Sequence, residues 1–493
     1  MSHPLLYEIN TRCWLRELST RLGTRIHLAN IPEAEFERWR RLGFTHVWLM
    51  GVWSTGPRSR AFSRHLPEVR AAAEGTLQHF REEDITGSPY AVANYTAARA
   101  LGGASALQAF RRKLATYGLK LILDFIPNHV GLDHPWLAER TELFVSSALE
   151  AEGTFWQETK AGSRWLAHGR DPYFPPWCDT AQLDHRNPAT RVAMVETLQA
   201  IAAQCDGVRC DMAMLVLNEV FAKTWRNFPT SYMPMAKEFW SEAIPAVKKK
   251  SPEFLFLAEA YWDMEARLQE LGFDFTYDKR LYDFVVAHNP PEVSRHLLTL
   301  APRFLEASAH FLENHDERRI ASVLSWPEHR AAALLMAGLP GMRFFHDGQL
   351  AGARLPVSVH LGRRPVEEPQ PEIAAWYDYL LTALNVSAVG RGHGALLAPN
   401  PAWPGNPTAQ NFVLVQWQAG PEQFDLLVVN LAPHDSQCYA SLTVAGLAGR
   451  DWHLKNLLGV EVYERRGDDL QQSGLYLDVP GFGAQLLHFQ PAA

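Results

Sequence analysis

Eight short apolar runs, separated by longer amphipathic stretches, constrain the fold of this 493-residue chain more than any other feature. They fall at Leu6–Asn10, Thr45–Met50, Leu119–Phe125, Gly207–Met212, Phe254–Glu259, Gly272–Phe275, Ala309–Glu313 and Met342–Phe345. Runs of this length read as strands, and the stretches between several of them carry a helical period. The clearest is Ala104–Tyr117, where Leu107, Phe110 and Leu114 share one face and Arg111, Arg112 and Lys113 lie off it. Ser105 is placed to cap its start, and Gly118 stands where a left-handed residue ends a helix. Eight strands alternating with helices predict a parallel (β/α)8 barrel, an α/β fold.

Two insertions interrupt the alternation. One is a long polar connection from about Ser54 to Gly87, after the second strand. The other runs from about Gly131 to His185, after the third, and is rich in Trp and Pro. Long connections after barrel strands lie on the C-terminal face, where active sites are built. From about Leu397 the pattern changes to alternating segments such as Asn411–Gln418 and Phe424–Asn430, which predict a small all-β sandwich. Pro365–Glu372 reads as a loop before a helix.

The strand ends carry the chemistry. LILDFIPNH delivers Asp124, Asn128 and His129, and DGVRCDMA delivers Arg209 and Asp211, two apart and so on one face of a strand. FLFLAEAYW ends with Glu259, and FLENHDERR with Asn314, His315 and Asp316. Four carboxylates, one Arg and two His thus converge on one rim. Such a set suits glycosidic bond cleavage, in which one carboxylate attacks the anomeric carbon and a second protonates the leaving oxygen. With retention of configuration the two stand about 5–5.5 Å apart, and adjacent strands lie about 4.8 Å apart, so Asp211 and Glu259 span that gap. Arg209 is expected to keep Asp211 ionised, and the apolar setting of Glu259 to raise its pKa.

In order and spacing, DFIPNH, GVRCDMA, AEAYW and ENHD resemble the four signature regions of the α-amylase family, glycoside hydrolase family thirteen. QLDHRNP, Gln182–Pro188, is similar to that family's extra region at the end of domain B. The resemblance implies a TIM barrel over 1–130 and 186–390, an inserted domain B at 131–185 and a C-terminal β-sandwich at 391–493. By motif it makes Asp211 the nucleophile, Glu259 the general acid/base and Asp316 the carboxylate that binds the sugar and favours the oxocarbenium-like transition state. His129 and His315 would hydrogen-bond the sugar, Tyr90 would be its stacking platform, and Arg209, Asp124 and Asn128 would support the site. The family's common calcium site would draw on Asn128, Asp184 and the Leu215 carbonyl. Calcium wants six to eight oxygens, so the sequence leaves the metal open, and the chemistry itself calls for no cofactor.

The chain departs from the family at several places. Met214 and Leu215 stand where many amylases carry a Lys-His pair on the leaving-group side, and Asn94 replaces a frequent Asp. Glu317, Arg318 and Arg319 follow Asp316 and either bind an acidic substrate or phosphate or, as expected here, pair with each other at the surface. The function expected is a retaining α-glycosidase on α-1,4-linked gluco-oligosaccharides or α-glucan. A glucan-transferring, trehalose- or sucrose-directed enzyme and a non-catalytic carbohydrate binder are the alternatives. A net charge of −7 argues against a nucleic-acid partner. No run reaches the length of a membrane helix, and no signal peptide is visible, so a cytoplasmic location is expected. Five scattered Cys imply no disulfide framework, and oligomeric state is not legible.

Overall fold

The computed structural model of the protein describes residues 3–159, 162–420 and 423–492. Its centre is a closed barrel of β1 (Leu5–Asn10), β2 (His46–Met50), β3 (Lys120–Phe125), β4 (Gly207–Cys210), β5 (Leu255–Ala258), β6 (Phe275–Tyr277), β7 (Ser308–Phe311) and β8 (Met342–His346). Every strand is parallel to its neighbours, and β8 closes on β1.

The pleat sorts the side chains. Leu5, Tyr7 and Ile9, Leu121, Leu123 and Phe125, and Val208 and Cys210 pack outward against the helices. Leu6, Ile122, Leu257, Phe275, Ala309 and Phe344 fill the barrel's interior. A residue two positions beyond an interior one faces the same way, so Glu8, Asp124, Glu259 and Tyr277 all rise above that apolar layer. Arg209, between Val208 and Cys210, joins them.

Strand boundaries differ from expectation most at β6, which begins at Phe275 and not at Gly272. Gly272 sits at φ +108°, in the turn that ends the preceding helix, so the strand starts three residues later and reaches Tyr277. The fourth strand stops at Cys210 because Met212 turns left-handed, with φ +41°. The helix expected at Ala104–Tyr117 spans Gly103–Thr116. Its N-cap is Gly102, with no side-chain hydrogen bond, so Ser105 is not the cap. Gly118 is left-handed as expected.

The connection after β2 is not a bare loop. It holds helices Pro57–His65 and Pro67–Thr76 and a strand pair, Trp53–Thr55 with Val92–Ala97. The insertion after β3 contains a three-stranded sheet and the antiparallel pair His129–Gly131 with Thr180–Gln182. Beyond the helix Pro371–Val386, a six-stranded and a three-stranded antiparallel sheet enclose a second core around Phe412, Phe424, Trp452 and Phe489. Trp417 donates its indole N–H to the Gly338 carbonyl at 2.7 Å, tying this part to the barrel helices. Among the described residues no helix is long and apolar enough to cross a membrane.

Candidate active site

At the C-terminal end of the barrel, β4 and β5 run in register with Cys210 beside Ala258, and the next residues on each chain are Asp211 and Glu259. The Asp211 N–H bonds the Phe125 carbonyl at 2.9 Å and the Glu259 N–H bonds the Cys210 carbonyl at 3.0 Å, so the ladder continues past the strands and holds both backbones. Between the two carboxylates lies the fully buried Arg209 guanidinium. Its Nη1 donates to Asp211 Oδ1 at 2.7 Å, and its Nη2 stands 2.7 Å from Glu259 Oε2. That second contact is a charge pair whose N–H is not aimed at the oxygen. Asp124 Oδ1 lies 3.6 Å from Nη1, and Asp124 Oδ2 accepts the N–H of Gly51 at 3.3 Å. Gly51 has φ +79°, a conformation glycine adopts at little cost. The rings of Trp48 and Tyr90 sit 5.2 Å from the guanidinium carbon, and the Tyr277 hydroxyl 3.4 Å from Nε.

The two carboxylates are held differently. Glu259 Oε2 accepts the Met212 N–H at 2.7 Å and Oε1 accepts the Tyr261 hydroxyl at 2.9 Å. Burial nevertheless outweighs Arg209 and pushes the Glu259 carboxyl up to about 7. Burial also raises Asp211, drawn back by Arg209, and raises Asp124 to about 7. Arg209 therefore moderates the Asp211 shift without reversing it, because one guanidinium is shared among three acids.

Asp316 sits at the rim with its side chain 47% exposed. Burial alone would raise it, but His315 holds it below the usual range. His315 Nε2 is 3.0 Å from Asp316 Oδ2 and 2.6 Å from the Tyr90 hydroxyl, and Nδ1 is 2.5 Å from Glu8 Oε1. The Tyr90 and His315 rings stack at 5.5 Å. His129 is buried at the entry to the insertion, its ring 5.1 Å from Trp177 and in hydrogen-bond reach of the Tyr90 backbone. Burial lowers it to about 3, so it is neutral. The structure thus brings together Tyr90, Asp124, His129, Arg209, Asp211, Glu259, His315 and Asp316.

The family model for the α-amylase catalytic domain matches residues 37–358. The chain belongs to the α-amylase family. Among curated relatives of this family, Alpha-amylase 3 of Dictyoglomus thermophilum is 24% identical over 264 residues, 49% of this chain and 49% of that one. Alpha-amylase MalA of Haloarcula japonica is 25% identical over 243 residues, 48% of this chain and 32% of that one. The chain spans about half or less of the length of the curated relatives it matches. Among solved structures, a noncanonic maltogenic α-amylase, AmyB from Thermotoga neapolitana, superposes with TM-score 0.67 at 19% identity over 99% of this chain and 98% of that one. An α-amylase from Lactobacillus plantarum does so with TM-score 0.66 at 20% identity over 98% of each. At such identities the likeness is one of fold.

The calcium donors expected for this α-amylase family member are engaged elsewhere. The Asn128 side chain is paired face to face with Gln182, Nδ2 donating to Oε1 at 3.1 Å and Oδ1 accepting from Nε2 at 2.9 Å. Both Asp184 oxygens are taken by the Arg186 guanidinium at 2.8 Å. The residues present do not fit that site, and Asn128 is a brace between the barrel and the insertion.

Met214 and Leu215 are buried core residues in the turn Ala213–Val216. Asn94 lies on an exposed strand face and accepts the Thr96 hydroxyl at 2.7 Å. The charges after Asp316 do not pair with one another. Arg319 turns inward to Glu313 at 2.8 Å, and Glu317 meets Lys279 at 3.3 Å. Four contributors escaped the sequence reading: Glu8, Trp48, Tyr261 and Tyr277. The strand period marks Glu8 and Tyr277, each two residues past an interior apolar position.

Proposed function

We propose that the protein is a retaining α-glycoside hydrolase acting on α-1,4-linked gluco-oligosaccharides or α-glucan. The observation that carries this is the pairing of Asp211 and Glu259 on adjacent strand ends across one buried guanidinium. Among the described residues Arg209 is the hydrogen-bond partner of the Asp211 carboxylate, through Oδ1, which leaves Oδ2 for an incoming anomeric carbon and suits a nucleophile. Glu259, pushed up to about 7, is about half protonated at neutral pH, which suits a group that serves in turn as acid and base. In the first step the Asp211 carboxylate attacks the anomeric carbon as Glu259 gives its proton to the glycosidic oxygen, and the leaving sugar departs neutral. In the second, the Glu259 carboxylate takes a proton from water, the resulting oxygen attacks the same carbon, and the bond to Asp211 breaks.

In this reading Asp316 and His315 bind the sugar's hydroxyls, His129 donates as a neutral imidazole, and the Tyr90 ring stacks on the sugar. Arg209 holds both carboxylates, with Asp124 supporting it. The barrel comprises 1–130 and 186–390, with 131–185 as domain B and 391–493 as the C-terminal sandwich. The relatives' names as α-amylases support an α-glucan substrate. Five unpaired cysteines accord with a reducing compartment such as the cytoplasm.

The test is time-resolved product analysis with maltoheptaose, alongside trehalose and sucrose, for wild type, Asp211→Ala and Glu259→Gln. Shorter maltooligosaccharides whose new ends are initially α are expected, with turnover at least about 100-fold lower in both variants. Early products longer than maltoheptaose would make the protein a transferase, and full activity in Asp211→Ala would remove the nucleophile.

A further inference from the structure

Glu8 occupies an unusual position for a carboxylate. It lies on β1 between outward-packed Tyr7 and Ile9, is fully buried, and one of its oxygens, Oε2, has no hydrogen bond. A buried carboxylate left half satisfied is costly unless a cation sits against it. The group against Oε1 is His315, at 2.5 Å, and the nearest base to Oε2 is His346, 4.0 Å away and held neutral by burial at about 3. The other end of the His315 ring, Nε2, faces both the Tyr90 hydroxyl at 2.6 Å and a second carboxylate, Asp316, at 3.0 Å. An imidazole with an acid at each nitrogen donates at both only as imidazolium.

We propose that Glu8 is a positioning residue that locks His315 as a cation, so that its Nε2–H is always directed at Asp316 and the sugar site. The proposal rests on the reading of His315 and Asp316 as sugar-binding groups. The groups around His315 are Glu8 from β1, the Trp48 ring from β2, Tyr90, Asp124 beyond β3's midpoint, Asp211 just past β4, Asp316 and His346, with Arg209 against the far sides of Trp48 and Tyr90. His346 is neutral and adds no opposing charge, and the net direction for His315 is upward, set by Asp316 and Glu8 against burial. Without the Glu8 charge, a neutral ring donating through Nδ1 would turn the Nε2 lone pair toward Asp316. The same contact would then repel, and Asp316 would lose its donor.

Glu8→Gln tests this, since it keeps the shape and an acceptor for Nδ1–H while removing the charge. Its kcat/KM on maltoheptaose is expected to fall about 10- to 100-fold near pH 8 and to recover to within about threefold near pH 5, where the imidazole protonates from solution. Glu8→Asp, still charged, should keep the wild-type pH profile at reduced activity. Histidine 15N shifts, with His315 assigned by its loss in His315→Gln, give a readout that needs no substrate. The His315 ring is expected to be doubly protonated near pH 8 in wild type and singly protonated in Glu8→Gln. A Glu8→Gln profile parallel to wild type, or a His315 ring that stays doubly protonated without Glu8, overturns the proposal. If maltoheptaose is not cleaved at all, the shifts still decide the Glu8–His315 pair, and only the glycosidase reading falls.

Discussion

Two layers of the barrel interior, two residues apart on the same strands, are equally buried and chemically opposite. Leu6, Ile122, Leu257 and Phe275 form the lower layer, and Glu8, Asp124, Glu259 and Tyr277 stand directly above them. The pleat gives both the same orientation and nearly the same exclusion of water. In the lower layer that exclusion stabilises the fold. In the upper layer it raises the carboxyl groups of Asp124, Asp211 and Glu259 and leaves oxygens such as Asp124 Oδ1 without a donor. Burial is thus the same structural act with opposite sign, and Arg209 is what makes the upper layer tolerable.

The comparison is broken most severely by Glu259→Gln and Leu257→Ala, side chains two residues apart. Glu259→Gln should lower kcat on maltoheptaose by about 10²- to 10⁴-fold, while Leu257→Ala should destabilise the fold by about 2–5 kcal/mol at every pH. Stability should move the other way in Glu259→Gln. The folded pKa of Glu259, about 7, lies above its ordinary 4.5. Its favourable contribution is therefore complete below about pH 4.5 and lost as pH rises through about 7. Removing the charge should stabilise the protein by on the order of 2–3 kcal/mol near pH 8 and by little near pH 4. Thermal melting at the two pH values measures this, and equal shifts at both would mean that Glu259 is not a buried, strained acid.

The lower layer was legible in the sequence because apolar runs declare themselves by composition. The upper layer was legible only where a motif named it. Asp124, Arg209, Asp211, Glu259, His315 and Asp316 come together as expected, since strand ends of a closed barrel converge whatever the connections do. Glu8 was passed over because one carboxylate after an apolar run carries no pattern of its own. Tyr277 falls outside a strand that starts at Gly272, but the positive φ of Gly272 makes it the end of a turn, and β6 runs on to Tyr277. The metal, which the sequence leaves open, is a different case. Asn128 and Asp184 are where the motifs put them, but Gln182 and Arg186, inside the same segment, complete their hydrogen bonding. Which partner a polar group takes is a property of packing, and no linear spacing records it.

A smaller effect sharpens the comparison at Tyr261. Its hydroxyl donates to Glu259 Oε1, a hydrogen bond that favours the ionised carboxylate. Tyr261→Phe removes that donor in a dry site, so the Glu259 pKa should rise further. The alkaline limb of kcat against pH, expected near 7 in wild type, should move up by about 0.5–1 unit. A downward shift would mean that the phenol acts on Glu259 by excluding water and not by hydrogen bonding.

The smallest effect is at Met212, whose φ of +41° is unusual for a residue with a side chain. That conformation turns its N–H onto Glu259 Oε2 at 2.7 Å, so the strain is tied to holding the acid. Met212→Gly keeps the N–H and removes the Cβ conflict, worth about 1 kcal/mol. It also gives up the packing of a half-buried side chain and loosens the unfolded chain, which act against it by a similar amount. Stability should therefore change by less than about 1 kcal/mol, and kcat by less than about threefold, because the donor to Glu259 survives. A clear gain in stability with unchanged kcat would show that backbone strain, like the buried acids, belongs to what the upper layer takes from the lower. A larger loss of kcat would show instead that the N–H reaches Glu259 only while the methionine side chain holds the turn.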